Sequence, residues 1–227
     1  VLLIGSALAV AWLVYPAVRT VQGWALSTPK GVGPGPKARV AVVMATRDPP
    51  GEVEKKVENL LELPESELLS SIAIAVDANG PWGVHDYPAF DDSHRVKVVE
   101  GGLEGGKASA LNAAVAASPP SDLLLIVDTS QSLIPGSVSS LVSSVLALDW
   151  TGASGVVHPE QQGILGRIWQ SFELGIRSGQ AVSRGLVTTS GAISMMRRTA
   201  WIPIPAGTIC DDLFLTMGVA KKGGRIG

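Results

Sequence analysis

Short apolar runs alternate with amphipathic stretches along most of the chain. Four runs have the length of a buried strand, at residues 40–45, 72–76, 96–99 and 123–127. Stretches with helical periodicity or composition lie at residues 52–63, 107–117, 136–148, 163–184 and 211–222. Continuous apolar strands are typical of a sheet covered on both faces. The alternation therefore predicts a doubly wound, mixed but mainly parallel α/β sheet with helices on both faces.

The N-terminal residues carry a different pattern. Residues 1–18 contain no charge, and as a helix they would span roughly 27 Å, close to the thickness of a bilayer core. We therefore expect one transmembrane helix with its flank at residues 1–26 and a Pro/Gly linker at 27–38. A signal peptide and a buried core helix are the alternatives.

Basic residues follow the apolar segment without an intervening acid, which is typical of a cytoplasmic flank. We therefore expect a membrane protein whose main domain, at residues 39–227, faces the cytoplasm. Because the chain begins with Val1 rather than methionine, we expect upstream sequence to be missing and the chain to be a fragment of a longer protein. We also expect the domain at 39–227 to be truncated at its C-terminal end.

Composition disfavours several classes of function. The chain has 18 Lys and Arg against 20 Asp and Glu, a net charge of −2, which gives no electrostatic basis for binding nucleic acid. One cysteine, Cys210, cannot form an internal disulfide, and three scattered histidines make no ligand cluster. A redox enzyme or a zinc enzyme is therefore disfavoured.

Aspartates follow three of the predicted strands. Asp48 comes shortly after the first, and Asp77 and Asp128 come directly after the second and the last. Ligands of doubly wound sheets bind beyond the carboxyl ends of the strands, where carboxylates accept hydrogen bonds from a nucleoside or hold a divalent cation. An aspartate that simply ends a strand is the alternative for each one alone.

A glycine-rich turn with a lysine opens the helix predicted at 107–117. The segment GGLEGGKASALN places Lys107 in the first helical turn, where backbone amides and an ammonium group suit a phosphate. Its spacing is also GxxxxGK, the pattern of a P-loop nucleotidase. Ala108 stands where the magnesium-binding hydroxyl of a P-loop belongs, and this disfavours the P-loop alternative.

Two adjacent acids open the last predicted helix. Asp211 and Asp212 have a structural explanation, because carboxylates are favourable at a helix N-terminus. The functional alternative is that one of them is a general base for a substrate hydroxyl.

In their order and spacing, these segments resemble family 2 glycosyltransferases of the GT-A type. The resemblance is to the membrane-attached kind related to cellulose, hyaluronan and poly-N-acetylglucosamine synthases, and it covers about residues 39–227. The motifs that carry it are VAVVMATRDP, IAVDANG, GGKASALN, LLLIVDTS, SGAISMMRR and CDDLFLTMGVAKKGG. It implies an inverting transferase that moves a hexose from a nucleotide sugar, with UDP as the expected nucleotide, to a carbohydrate or lipid acceptor.

The resemblance also implies a role for each matching residue. Asp212 would be the catalytic base, with Asp211 beside it, and Lys107 would lie near the nucleotide. Gly191 and Arg197 would shape the substrate pocket. The uridine part of the donor would contact Thr46, Asp48 and Asp77. Asp128 and Ser130 would occupy the ends of the DxD motif, beside ribose and a Mg²⁺ or Mn²⁺ ion.

The sequence departs from the family pattern at that motif. Its last position is Ser130 instead of an aspartate, and a neutral hydroxyl is a poor ligand for a divalent cation. A catalytically degenerate glycosyltransferase fold that binds a nucleotide or a partner without turnover is therefore the main alternative.

Overall fold

The computed structural model describes residues 14–25, 38–88, 90, 95–158, 163–183 and 185–227. Its helices are α1 (Tyr15–Ala25), α2 (Pro50–Glu62), α3 (Gly106–Ala117), α4 (Ser137–Ala147), α5 (Ile164–Ser183) and α6 (Asp211–Lys221). Its strands are β1 (Val40–Thr46), β2 (Leu69–Val76), β3 (Val96–Glu100), β4 (Leu123–Val127), β5 (Gly152–Ser154) and β6 (Ile193–Arg197). Short 3₁₀ turns lie at Ser66–Leu68, Val84–Asp86 and Arg198–Ala200.

The strands form one mixed sheet in the order β3-β2-β1-β4-β6-β5. Strands β1 to β4 are parallel, and β6 is antiparallel to both β4 and β5. The mainly parallel α/β architecture predicted from the sequence is therefore confirmed. Strands β5 and β6 were not predicted, because β5 has only three residues and β6 follows a turn rich in small residues.

Both faces of the sheet are buried, as the continuous apolar strands require. Val42 and Met44 of β1 pack in one core cluster together with residues of α2 and α4. Ala41 and Val43 alternate to the other face, where they pack in a second cluster with residues of α3 and α6. From the apolar runs alone, the sequence predicts that the core includes eight residues of the strands. Seven of the eight are buried: Val42, Val43, Ile74, Val76, Leu124, Ile126 and Val127.

The eighth predicted core residue, Val98, is only partly buried. It lies on β3, which is the edge strand next to β2, so it has a strand neighbour on one side only. Apolar patterning alone does not distinguish an edge strand from a central one.

Helix α1 packs along helix α5 through small residues. Added Cβ atoms on Gly23, Gly175 or Gly179 would collide with the facing helix backbone or with Thr20. Within the described part of the chain, no helix is both long enough and apolar enough to cross a bilayer. The transmembrane prediction falls largely on residues 1–13, which lie outside the described residues, and its C-terminal end at 15–18 belongs to α1.

Candidate functional site

The site lies at the edge of the sheet where β1, β2 and β4 end. These three parallel strands are neighbours, so their carboxyl ends meet there. Asp48, Asp77 and Asp128 follow these ends, and helices α3 and α6 begin close by with Lys107 and Asp211. The sheet thus brings together residues that are up to 163 positions apart in the chain.

Asp77 is the most enclosed carboxylate of the three. Its Oδ1 accepts hydrogen bonds from the backbone amides of Asn79 at 3.0 Å and Gly106 at 2.7 Å, and its Oδ2 pairs with Arg47 Nε at 2.6 Å. Burial by itself raises the pKa of Asp77, but these amides and the Arg47 guanidinium outweigh it and hold the pKa below its usual value. Asp77 is therefore an ionised anchor that joins the end of β2 to the start of α3.

The turn before α3 depends on two glycines. Gly105 and Gly106 have φ values of +67° and +83°, in the left-handed region that favours glycine. This conformation lets the Gly106 amide reach Asp77 while the helix begins with Lys107 in its first turn. The two glycines of the GGK sequence are therefore explained by the backbone conformation of this turn.

Lys107 joins two carboxylates from different elements. Its Nζ lies 2.9 Å from Asp128 Oδ1 and 3.8 Å from Asp211 Oδ2. Burial lowers the pKa of Lys107, but the Asp128 hydrogen bond and the charges of Asp128, Asp211 and Asp212 outweigh it, and the pKa is raised. Lys107 therefore remains an ammonium group at neutral pH.

Asp211 is the buried member of the acidic pair at the start of α6. Burial raises its pKa above the usual range, with further raising by the charges of Asp212 and Asp128 and an opposing effect from Lys107. Asp212 is less buried, and the Thr188 hydroxyl donates to its Oδ2 at 2.9 Å. The two acids thus have different surroundings, with Asp211 facing Lys107 and Asp212 facing Thr188.

The end of β1 contacts the turn after β4. The buried Thr46 hydroxyl accepts a hydrogen bond from the Asp48 amide at 3.0 Å. The Thr129 hydroxyl in turn donates to the Asp48 carboxylate. Thr129, the middle residue of the DTS segment, therefore links two of the strand-end aspartates.

Gly191 lies beside Asp128, and Arg197 does not. A Cβ added to Gly191 would be 3.9 Å from Asp128 Oδ2. Arg197 pairs with Leu123 at the opposite end of β4, and its guanidinium bonds Asp149 Oδ1 at 2.8 Å and the Trp150 carbonyl at 3.0 Å. Because β6 is antiparallel, its carboxyl end points away from the site, and Arg197 is separated from the other residues expected there.

Two residues near the site, Thr188 and Lys56, were not singled out from the sequence. Thr188 lies in a polar turn, so it had a weak local signal. Lys56 lies on the core-facing side of α2, is 3% exposed, and donates to the backbone carbonyl of Gln131. Burial lowers its pKa to about 8, opposed by the charge of Asp128. Lys56 lies in a helix with many charged residues, so nothing in the sequence distinguishes it from an exposed lysine.

A cavity of about 690 Å³ lies alongside this edge and does not include the Lys107 side chain. Its walls come from the segment after β4, helix α4, the strand β5 with its extension, and helix α5. Gln131 and Ala192 belong to its lining, and Ala192 follows Gly191 directly. The cavity therefore borders the strand-end site.

The DTS segment, residues 128–130, offers a divalent cation one carboxylate ligand, that of Asp128. Asp128 is about one third exposed, and Ser130 is exposed and neutral. Among the described residues, no group of three or more His, Cys, Asp or Glu is placed to hold a metal. Mg²⁺ is commonly held by one or two carboxylates together with substrate phosphates and water. The residues therefore fit a cation that arrives with a diphosphate, held by Asp128.

Comparison with solved structures shows the fold. The chain is similar to a mannosyltransferase from Pyrobaculum calidifontis in complex with GDP-Man and Mn²⁺, with a TM-score of 0.77 and 19% identity over 98% of this chain. It spans 64% of that protein's chain. It is also similar to glucosyl-3-phosphoglycerate synthase from M. tuberculosis, with a TM-score of 0.51 and 16% identity, covering 86% of this chain and 73% of that one.

No family model matches the sequence, and no curated protein matches it. At these identities the similarity concerns the fold, which is GT-A-like.

Proposed function

We propose that this chain is the catalytic domain of an inverting glycosyltransferase that moves a hexose from a nucleotide sugar to a hydroxyl acceptor. The observation that carries the proposal is the position of Lys107 between Asp128, at the end of β4, and Asp211, at the start of α6. An ammonium group between a metal-binding carboxylate and an acidic helix start suits a diphosphate leaving group. The glycosyltransferase fold of the structural neighbours supports the same reaction class.

The donor would lie across the ends of β1, β2 and β4. Asp48 would accept hydrogen bonds from the nucleoside, and Asp77 would hold the turn that carries Lys107. Lys107 would contact the diphosphate. The resemblance of the sequence favours UDP, whereas one structural neighbour is in complex with GDP-Man. We propose UDP and test it against GDP.

Asp128 would hold Mg²⁺ or Mn²⁺ together with the diphosphate, and Ser130 would contribute at most a neutral hydroxyl. When bound, such a cation neutralises the charge that develops on the leaving diphosphate. The Lys107 ammonium would supply further positive charge at the same place.

Asp212 would act as the general base. The acceptor oxygen would form a bond to the anomeric carbon as its proton passes to the Asp212 carboxylate, and the bond to the diphosphate would break with its electron pair leaving on oxygen. Attack from the face opposite the leaving group gives inversion. The Thr188 hydroxyl, 2.9 Å from Asp212 Oδ2, would orient the carboxylate.

We further propose that the domain is attached to a membrane and faces the cytoplasm. Exposed apolar side chains cluster on α1 and α5, among them Trp24 at 67%, Trp169 at 67% and Leu165 at 82% exposure. Such faces suit the interface of a bilayer. Binding of the protein to phospholipid vesicles should fall in Trp169→Glu and remain in Ile209→Glu, which replaces an exposed apolar residue in the segment before helix α6.

Calorimetric titration of the protein with UDP and GDP, with Mn²⁺ and then with EDTA, tests the central proposal. We expect UDP to bind more tightly with Mn²⁺, and Lys107→Met to weaken that binding. If GDP binds more tightly than UDP, the donor is a GDP-sugar and the UDP assignment is wrong. If neither nucleotide binds, with or without metal, the glycosyltransferase proposal is wrong.

The exposed, neutral Ser130 favours one alternative, a catalytically degenerate domain that binds nucleotide without turnover. Transfer of sugar from radiolabelled UDP-hexoses to an acceptor mixture distinguishes the two. Nucleotide binding without any transfer would support the degenerate domain.

A further inference from the structure

The buried part of the lining of the cavity beside the strand-end site is apolar, whereas the more exposed part is mixed and includes Arg177 and several serines. Its buried side chains include Leu133, Leu141 and Ile193, and its more exposed lining includes Ser140 and Ser178. Its volume of about 690 Å³ lies within the range of about 300–1,000 Å³ that is typical of small-molecule sites. An interior of this kind favours a hydrocarbon chain over a hydrated sugar.

Two connections join this cavity to the proposed catalytic residues. In the first, Arg177 lines the cavity and donates to the Thr188 carbonyl at 3.4 Å, and the Thr188 hydroxyl donates to Asp212. In the second, the carbonyl of the lining residue Ala192 accepts from the Asp128 amide at 3.2 Å. One wall therefore leads to the proposed base and another to the end of β4.

We infer that this cavity binds the hydrocarbon tail of an amphiphilic acceptor, with the hydroxyl-bearing head directed toward Asp212. The inference rests on the proposed function and narrows its acceptor from carbohydrate or lipid to a glycolipid. No covalent step beyond the proposed transfer is involved.

The test uses n-alkyl β-maltosides below their micellar concentration, because they carry a hydroxyl-rich head and a tail of chosen length. Calorimetry should show affinity rising about fourfold for each added methylene from octyl to decyl, since each contributes buried apolar surface. Maltose alone supplies the head without the tail and should bind far more weakly. Equal affinities of octyl maltoside, decyl maltoside and maltose would overturn the inference, as would no binding of any of them.

Two variants, each on a different helix that lines the cavity, are designed to fill it with a larger side chain. Ser178→Phe on α5 and Ser140→Phe on α4 should each weaken decyl maltoside binding at least tenfold. Ser171→Phe is the matched control, because Ser171 is an exposed residue of α5 that does not line the cavity. If both filling variants bind decyl maltoside as tightly as Ser171→Phe does, the tail lies elsewhere, such as on the exposed faces of α1 and α5, and the inference is wrong.

UDP and GDP titrations of the same variants keep this inference separate from the proposed function. All three variants should bind nucleotide as the parent does, which also shows that they are folded. Loss of maltoside binding with nucleotide binding retained supports the cavity as the tail site. If the parent protein binds decyl maltoside in the cavity but binds no nucleotide, the cavity is a hydrocarbon-binding site and the proposed glycosyltransferase function is wrong.

Discussion

The Nζ of Lys107 lies 2.9 Å from Oδ1 of Asp128. Lys107 belongs to the first turn of helix α3, whereas Asp128 follows strand β4. The same ammonium is 3.8 Å from Asp211 Oδ2. A single cation therefore links the end of a central strand to the start of the last described helix, at the place where we propose that a diphosphate leaves.

The first prediction concerns this lysine. Lys107→Met removes the ammonium while keeping much of the side-chain length, and it should lower kcat/KM for the nucleotide sugar by about 100-fold, since it removes one preorganised positive group from the leaving-group site. Steady-state kinetics measure the loss. Lys221→Met, which removes an exposed ammonium at the end of α6, should retain parental kinetics. Similar kinetics for the two variants would remove Lys107 from the proposed site.

A second carboxylate in the DTS segment should strengthen metal binding. Ser130→Asp adds a second carboxylate two residues from Asp128, and we expect the affinity for Mn²⁺ in the presence of UDP to rise about tenfold. Calorimetry with increasing Mn²⁺ measures the change. Ser132→Asp adds the same charge at another exposed position of the same segment and should leave Mn²⁺ affinity unchanged.

An equal gain in both serine variants would mean that the effect is general electrostatic attraction. Metal-dependent transfer that appears in Ser130→Asp and is absent from the parent would support the degenerate alternative.

Replacing the proposed base should separate binding from chemistry. Asp212→Asn keeps the size of the side chain but cannot accept the acceptor proton, so kcat should fall by a factor of about 10²–10⁴. The dissociation constant for the nucleotide should stay within about twofold of the parental value. Asp149→Asn, at a residue 96% exposed beside Arg197, is the control and should retain parental kcat. Unchanged kcat in Asp212→Asn would assign the base elsewhere.

Lys56 should make stability depend on pH in the alkaline range. Its pKa is about 8 in the folded protein, and that of an unfolded lysine is about 10.4. Between these values the unfolded state binds more protons, so the free energy of unfolding should rise with pH, by about 3 kcal/mol in total. Chemical denaturation at several pH values measures this rise.

The neighbouring lysine provides the control for that experiment. Lys56→Met should remove the rise in stability between pH 8 and pH 10, because Met does not titrate. Lys55→Met, at an exposed residue of the same helix, should retain it. A rise that persists in Lys56→Met would have to come from other groups.

Local patterns predicted much of the fold for identifiable reasons. The apolar runs that became β1, β2 and β4 are buried on both faces, so their whole length carries the signal. The turn before Lys107 could also be predicted from the sequence. Its backbone has positive φ values, which favour glycine, and the sequence has glycine at both positions. Aspartates at the ends of parallel neighbouring strands were expected to converge, and Asp48, Asp77 and Asp128 lie at one edge.

Strand direction and long-range contacts were not visible in the same way. A strand's own residues do not encode whether it runs parallel or antiparallel to its neighbour, and the antiparallel β6 is what separates Arg197 from the site. The bond between Thr188 and Asp212 and the burial of Lys56 beside Gln131 join segments 24 and 75 residues apart. Such contacts exist only once the sheet has packed against its helices.

The sequence by itself determined the sheet class, the two-sided core and the acidic strand ends, because each depends on side-chain type and spacing within one element. Only the tertiary structure decided which charged groups meet: Lys107 with Asp128 and Asp211, and Arg197 with Asp149. Those pairings follow from the order and direction of strands in the sheet, which depend on the free energy of packing the whole domain.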